Sequence, residues 1–201
     1  MRKLASIDRY EKANSVLVSE ANTILHDHGL LEILGKYGKP IVQGSYALNL
    51  MTWRDLDIHL GYEHVDLKKF FSLGLEIAAK LKPRRMSFRN ELESETPGLP
   101  KGLYWRVYTK LSFPGIWKID IWAMDSKQST LFAERFEDLK SKITETNRPA
   151  ILGIKSHFCE HPEYRKKFFS MDIYKAVVED NVRSVEEFAE RLEKERGLSV
   201  S

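Results

Sequence analysis

Asp55 and Asp57 stand two residues apart in the run Asp55-Leu56-Asp57-Ile58. On an extended strand that spacing sends both carboxylates to one face, while Leu56 and Ile58 leave the other face for burial. Two carboxylates held together repel unless a cation sits between them. An oxygen-only acidic pair suits Mg²⁺, which also takes phosphate oxygens and keeps some of its waters. Asp120 repeats the pattern between Ile119 and Ile121, in a segment whose alternation marks another strand. Three carboxylates on neighbouring strands can hold two metal ions, one activating a nucleophilic hydroxyl and one steadying a leaving oxygen.

Gly44-Ser45 supplies a complementary feature. The apolar run Ile41-Val42-Gln43 reads as a short strand that enters it, and a brief helix over Tyr46 to Met51 follows. A strand-to-helix junction leaves backbone N–H groups unsatisfied and suits an anion, above all a phosphate. Gly44 has no side chain to obstruct a triphosphate, and Ser45 can cap the helix and hydrogen-bond a phosphate oxygen. An ordinary capping turn and a pair of solvated acids are the plainer readings of the two motifs taken singly.

Taken together they carry a resemblance. Ile41-Val42-Gln43-Gly44-Ser45, nine residues, then Asp55-Leu56-Asp57-Ile58, is similar to the signature of the DNA polymerase beta-like nucleotidyltransferase superfamily, and Asp120 matches that family's third acid. The likeness covers residues 40 to 124. Arg54 stands where many small members place Ser, and Asn49 where many place Gly in the short helix; neither position touches the three acids. The resemblance implies an α+β fold, a nucleotidyltransferase-type mixed β-sheet flanked by helices with a C-terminal helical lobe. It implies transfer of NMP from an NTP to an acceptor hydroxyl or phosphate with release of pyrophosphate. Asp55 and Asp57 would bind two Mg²⁺ ions, Asp120 the one that activates the acceptor, and Gly44 and Ser45 the triphosphate. A lysine of the helical lobe often reaches the phosphates in this family, and Lys155 is the candidate, against the plain reading of a surface lysine with a buried stem.

The elements that must position these residues follow from periodicity. Ile7 to Leu25 is a helix, with a short turn of helix after Gly29 and a stop between Gly35 and Pro40. Leu56 to Leu60 is the strand of the acidic pair. Asp66 is placed to cap an amphipathic helix through Leu67, Phe70, Phe71, Leu75, Ile77 and Ala78, which Pro83 ends. Arg84 to Asn90 and Leu103 to Phe113 read as strands around an acidic loop, Glu91 to Gly102, and Trp117 to Ala123 as the strand of Asp120. Helices are expected over Ser129 to Glu145, Pro149 to Cys159, Pro162 to Phe169, Met171 to Glu179 and Val185 to Arg196, with Pro149 and Pro162 in first turns. The division expected is a core with its N-terminal helix, 1–126, and a helical lobe, 127–201.

Composition sets outer limits. With 42% apolar residues the 201-residue chain can bury a core, so disorder is not expected. Its 32 basic and 29 acidic residues nearly balance, which argues against a nucleic-acid coat protein and favours a small-molecule or protein acceptor over long RNA. A lone cysteine, Cys159, excludes an internal disulfide and favours a reducing compartment, and no long apolar run reads as a signal or membrane span. A cytoplasmic enzyme is the expectation.

Other clusters invite chemistry less strongly. His59 shares the predicted face of Asp55 and Asp57. His157 and His161 are one helical turn apart, but Cys159 lies off their face and no fourth zinc ligand is evident. Arg84, Arg85 and Arg89 read as a basic strand edge, and Tyr104, Trp105 and Tyr108 as core or as stacking rings. The rivals to a transferase are a non-catalytic nucleotide-binding or protein-interaction module, antitoxin-like, and a metal-assisted hydrolase.

Overall fold

The computed structural model describes residues 2–93 and 99–200, with side chains from residue 8 onward. The Ile7 side chain, and residues 94–98 of the expected loop, lie outside the described residues. The chain divides into two compact units, one of residues 1–16, 50–53 and 139–201, the other of residues 17–49 and 54–138. Both are discontinuous in sequence, so they are cut differently from the expected 1–126 and 127–201.

The second unit is built on a five-stranded mixed sheet flanked by helices. Its strands are β1 (Lys39–Gln43), β2 (Asp55–Tyr62), β3 (Arg85–Asn90), β4 (Leu103–Thr109) and β5 (Trp117–Asp125), in spatial order β1-β2-β5-β4-β3. Only β2 and β5 run parallel; the other neighbours are antiparallel. The alternation sorts the side chains as expected. Leu56, Ile58, Leu60, Ile119, Ile121, Leu103, Val107 and Trp105 are buried on one face, opposite the acids.

Helix α1 (Arg2–Asn22) and α2 (Leu30–Gly35), separated by a π-helical turn over Thr23–Asp27, precede β1, and the short α3 (Gly44–Ala47) follows it. Helix α4 (Leu67–Leu81) packs against β4 on the apolar face. Its N-terminus is capped as expected, the Asp66 carboxylate accepting from Lys69 N at 2.8 Å. The Trp105 indole donates to Phe70 O at 3.0 Å and sits among Phe70, Phe71 and Phe88. That tether leaves the ring no room to retreat, and a Cβ at Gly74 would come within 2.8 Å of it. Gly74→Ala gains roughly 1 kcal/mol of helix propensity but overpacks at a cost of about 1–3 kcal/mol. A net loss of up to about 2 kcal/mol is therefore expected, visible as a lower urea midpoint with an unchanged slope.

The helical unit contains α6 (Arg148–Phe158), α7 (Ser170–Val178) and α8 (Val185–Arg196), and α5 (Ser126–Lys142) spans the boundary between the two units. Phe158, Phe168 and Phe188 meet in its core. The helix expected over Pro162 to Phe169 does not form. Arg165 adopts φ +65°, which no α-helix accommodates, and its N–H donates to Phe168 O at 2.7 Å. The segment is a run of turns that brings Tyr164 beside Phe168. The strand expected to Phe113 stops at Thr109, two residues before Leu111 turns left-handed. Among the described residues no helix is long and apolar enough to cross a membrane.

Candidate active site

The register of the sheet brings the three acids together. Asp57 lies directly opposite Asp120 across β2 and β5, and Asp55 opposite Lys118. Asp55, Asp57 and Asp120 each offer a carboxylate oxygen within 4.8 Å of the other two, and this is the group of metal-capable side chains that forms among the described residues. Asp55 and Asp120 are about 8% exposed, so water screens their repulsion only partly. The donor set is all oxygen and all anionic, which fits Mg²⁺.

A cation of the chain itself already stands there. Lys118 Nζ is 3.0 Å from Asp55 Oδ2 and 3.3 Å from Asp120 Oδ2. Burial works against its ammonium, but the Asp55 and Asp120 carboxylates outweigh it and hold the pKa above the ordinary lysine value. On the far side of Asp120, Arg106 Nε donates to Asp120 Oδ1 at 3.3 Å and to the Tyr104 hydroxyl at 2.6 Å. Burial, and then the charge of Asp120, push the Tyr104 phenol up, so it stays protonated.

Gly44 abuts the acids. It has φ +66°, and a Cβ built on it would lie 2.2 Å from Asp57 Oδ2. The residue is glycine for two reasons, its left-handed backbone and the carboxylate against its Cα. Gln43, the N-cap of α3, gives that helix no side-chain cap, so the first N–H groups after Gly44 receive nothing from it. Gln43 pairs with Asp57 across β1 and β2, and its buried amide NH₂ has no hydrogen-bond partner among the described residues. Ser45 is buried beside it.

Both departures from the family pattern have local explanations. Asn49 takes φ +55°, a left-handed conformation that asparagine tolerates nearly as well as glycine. Arg54 is held by Glu20, with Nε and Nη2 each 2.7 Å from a carboxylate oxygen, and Glu20 also accepts from the Trp117 indole at 3.0 Å. This network ties α1 to the entrances of β2 and β5.

The other sequence candidates have surroundings of their own. His59 does share the acid face, but it lies under Phe132 and burial pushes its pKa down to about 4, leaving it neutral at pH 7. Lys155 is fully buried in the helical unit. Its ammonium donates to Leu50 O at 2.6 Å and to the Tyr174 hydroxyl at 2.9 Å, over the ring of Trp53 at 4.9 Å. Cys159 Sγ donates to Ser156 O and His161 Nδ1 accepts from Glu163 N, and neither joins a metal-capable group among the described residues. Lys118, Arg106 and Gln43 were not singled out from the sequence. Lys118 was within reach, being two residues before Asp120 on the same strand face.

No protein-family model matches the chain, and no curated protein does. Among solved structures it is similar to one concerning the activity of a cytoplasmic RNA terminal U-transferase, with 13% identity and a TM-score of 0.43 over 74% of this chain. The chain spans 46% of that neighbour. A likeness of this size identifies neither family nor activity.

Proposed function

We propose that the protein is a Mg²⁺-dependent nucleotidyltransferase, moving NMP from an NTP to an acceptor hydroxyl or phosphate with pyrophosphate leaving. The observation that carries the reading is the juxtaposition of three carboxylates within 4.8 Å with a left-handed Gly44 packed on Asp57. Asp55 and Asp57 would hold two magnesium ions, and Asp120 the one nearer the acceptor. Bound there, magnesium supplies Lewis-acid neutralisation and lowers the pKa of an acceptor hydroxyl. Gly44, Ser45 and the first N–H groups of α3 bind the triphosphate, and Gln43 has an amide NH₂ to give to it. Lys118 holds Asp55 and Asp120 in place before the nucleotide arrives. Catalysis rests on positioning and preorganised charge. In this reading Lys155 is given a structural role, its ammonium being engaged by the Leu50 carbonyl, the Trp53 ring and the Tyr174 hydroxyl.

Lys118 also favours a second reading, a nucleotide-free interaction module, since its ammonium partly neutralises the acids without any metal. One experiment separates the two. A transferase is stabilised by Mg²⁺ and NTP together beyond the sum of either alone, the bound complex contributing about 2.7 kcal/mol in all at a hundredfold excess over Kd, and releases pyrophosphate when given an acceptor. An additive or absent thermal shift with all four NTPs would leave the interaction module standing.

A further inference from the structure

The face of the sheet that carries the acids does not end at Asp120. Cross-strand register extends it through β4 to the edge strand β3 in three rows. The first row is Asp55, Lys118, Tyr108 and Arg85. The second is Asp57, Asp120, Arg106 and Ser87. The third is His59, Trp122, Tyr104 and Arg89. Residues directly opposite one another share a face, so basic and aromatic side chains alternate away from the acids over three interstrand steps, about 14 Å.

Close contacts run along and between these rows, around a Tyr104 that is itself buried. The Arg85 guanidinium lies 4.3 Å from the centroid of Tyr108, those of Arg106 and Arg89 lie 5.4 and 6.0 Å from Tyr104, and Tyr104 packs on Trp122 at 4.6 Å. Arg85, Ser87 and Arg89 are exposed on the edge strand. Arg89 also pairs with Glu91, an acid of the same edge. Arg106 belongs to both ends, touching Asp120 while facing Tyr104.

We propose that this arginine–tyrosine ladder is the acceptor platform, and that its occupant is the end of a single-stranded nucleic acid whose terminal hydroxyl reaches the three acids. The inference rests on the transferase reading for the role of the acids, but not for the binding itself. Guanidinium forks match phosphate oxygens, and a guanidinium lying flat on a ring offers its second face to a base. Unpaired bases stack on such platforms with little regard to sequence, whereas a duplex hides them. A polycationic acceptor such as an amino sugar meets repulsion from Arg85 and Arg89. The small net charge of the whole chain, +3, does not show this distribution: basic groups gather on β3 and β4, where Glu91 is the acid paired with Arg89, while the three aspartates stand together at β2 and β5.

The test is fluorescence anisotropy with a labelled single-stranded RNA of mixed sequence, in EDTA, so that no turnover or metal is needed. The wild-type chain is expected to bind the single strand, to bind the same sequence as a duplex more weakly, and to be competed poorly by a mononucleotide. Arg85→Ala should weaken binding by about tenfold and flatten its salt dependence by about one unit of slope. Ser87→Glu, which adds a negative charge between the two arginines without removing any contact, should weaken it at least as much while the melting temperature stays put. Equal affinity in wild type and Ser87→Glu, or full competition by a mononucleotide, would overturn the platform. An intact Mg-NTP thermal shift beside that result would leave the transferase reading in place, and RNA binding without any such shift would sink the transferase alone.

Discussion

Asp57→Asn is expected to lower nucleotidyl transfer by at least about a thousandfold and to weaken Mg-NTP binding with it. Asp57 stands at the middle of the site, opposite Asp120 on one side and Gln43 on the other, with Gly44 against its carboxylate. On the proposed reading, losing its charge removes a ligand common to both ions and slackens the turn that would meet the triphosphate. Asp120→Asn behaves differently in the same assays. On the proposed reading nucleotide affinity should persist through Asp55, Asp57 and Gly44-Ser45, whereas turnover should fall by at least about a hundredfold as the acceptor loses its assisted deprotonation. An Asp120→Asn protein with full turnover removes that residue from the active site. Crowded acids alone would suggest that such variants gain stability, but Lys118 and Arg106 already compensate Asp120. Its loss leaves those cations underpaired, and no gain in melting temperature is expected.

Gly44→Ala is expected to be nearly as damaging, through a single methyl group. At φ +66° a Cβ carries a backbone strain of roughly 1–3 kcal/mol, and at 2.2 Å from Asp57 Oδ2 it cannot coexist with the observed carboxylate. Either α3 shifts or Asp57 turns away, and on the proposed reading both disturb the relation between triphosphate and metal. A fall in turnover of about a hundredfold or more is expected, since displacements near 1 Å at reacting groups cost that much. A lower melting temperature should accompany it. Asn49→Gly is the control, because it relaxes a left-handed residue of the same stretch without meeting the acids. If Gly44→Ala keeps wild-type nucleotide affinity and turnover, the Gly-Ser turn has no part in the chemistry.

What could be read beforehand was what lies within one element. Strict alternation around Leu56, Ile58, Ile119 and Ile121 marked β2 and β5 and the common face of their acids. Asp66 announced the start of α4, and the apolar period of 185–196 gave α8 in full. What escaped depends on partners distant in sequence or on single backbone angles. Arg106 gains its role only when β4 is laid beside β5, and Gln43 only when β1 pairs with β2. Arg54 looked like an anomaly until Glu20, 34 residues earlier, supplied its partner. Tyr104, Trp105 and Tyr108 were read as a set, yet the pleat sends Trp105 into the core and the tyrosines to the acid face. Pro162 offered a sound helix start, and the left-handed Arg165 three residues later undid it.

The discontinuity of the helical unit bears on how the chain must be made. The polypeptide passes from one unit to the other after residues 16, 49, 53 and 138. Contacts that close the helical unit reach far back along the chain: Arg148 pairs with Glu11, 137 residues earlier, and Lys155 donates to Leu50, 105 residues earlier. During vectorial synthesis the opening helix and the short 50–53 segment therefore leave the ribosome long before their partners exist. Contacts so remote in sequence fold slowly and leave apolar surface open meanwhile. A nascent chain halted at residue 138 would hold every strand and all three acids, yet Leu50–Trp53, the four residues leading into Arg54 and Asp55, would still lack the lysine that grips them. A polypeptide cut short before α6 would therefore carry all three acids and leave the helical unit unclosed.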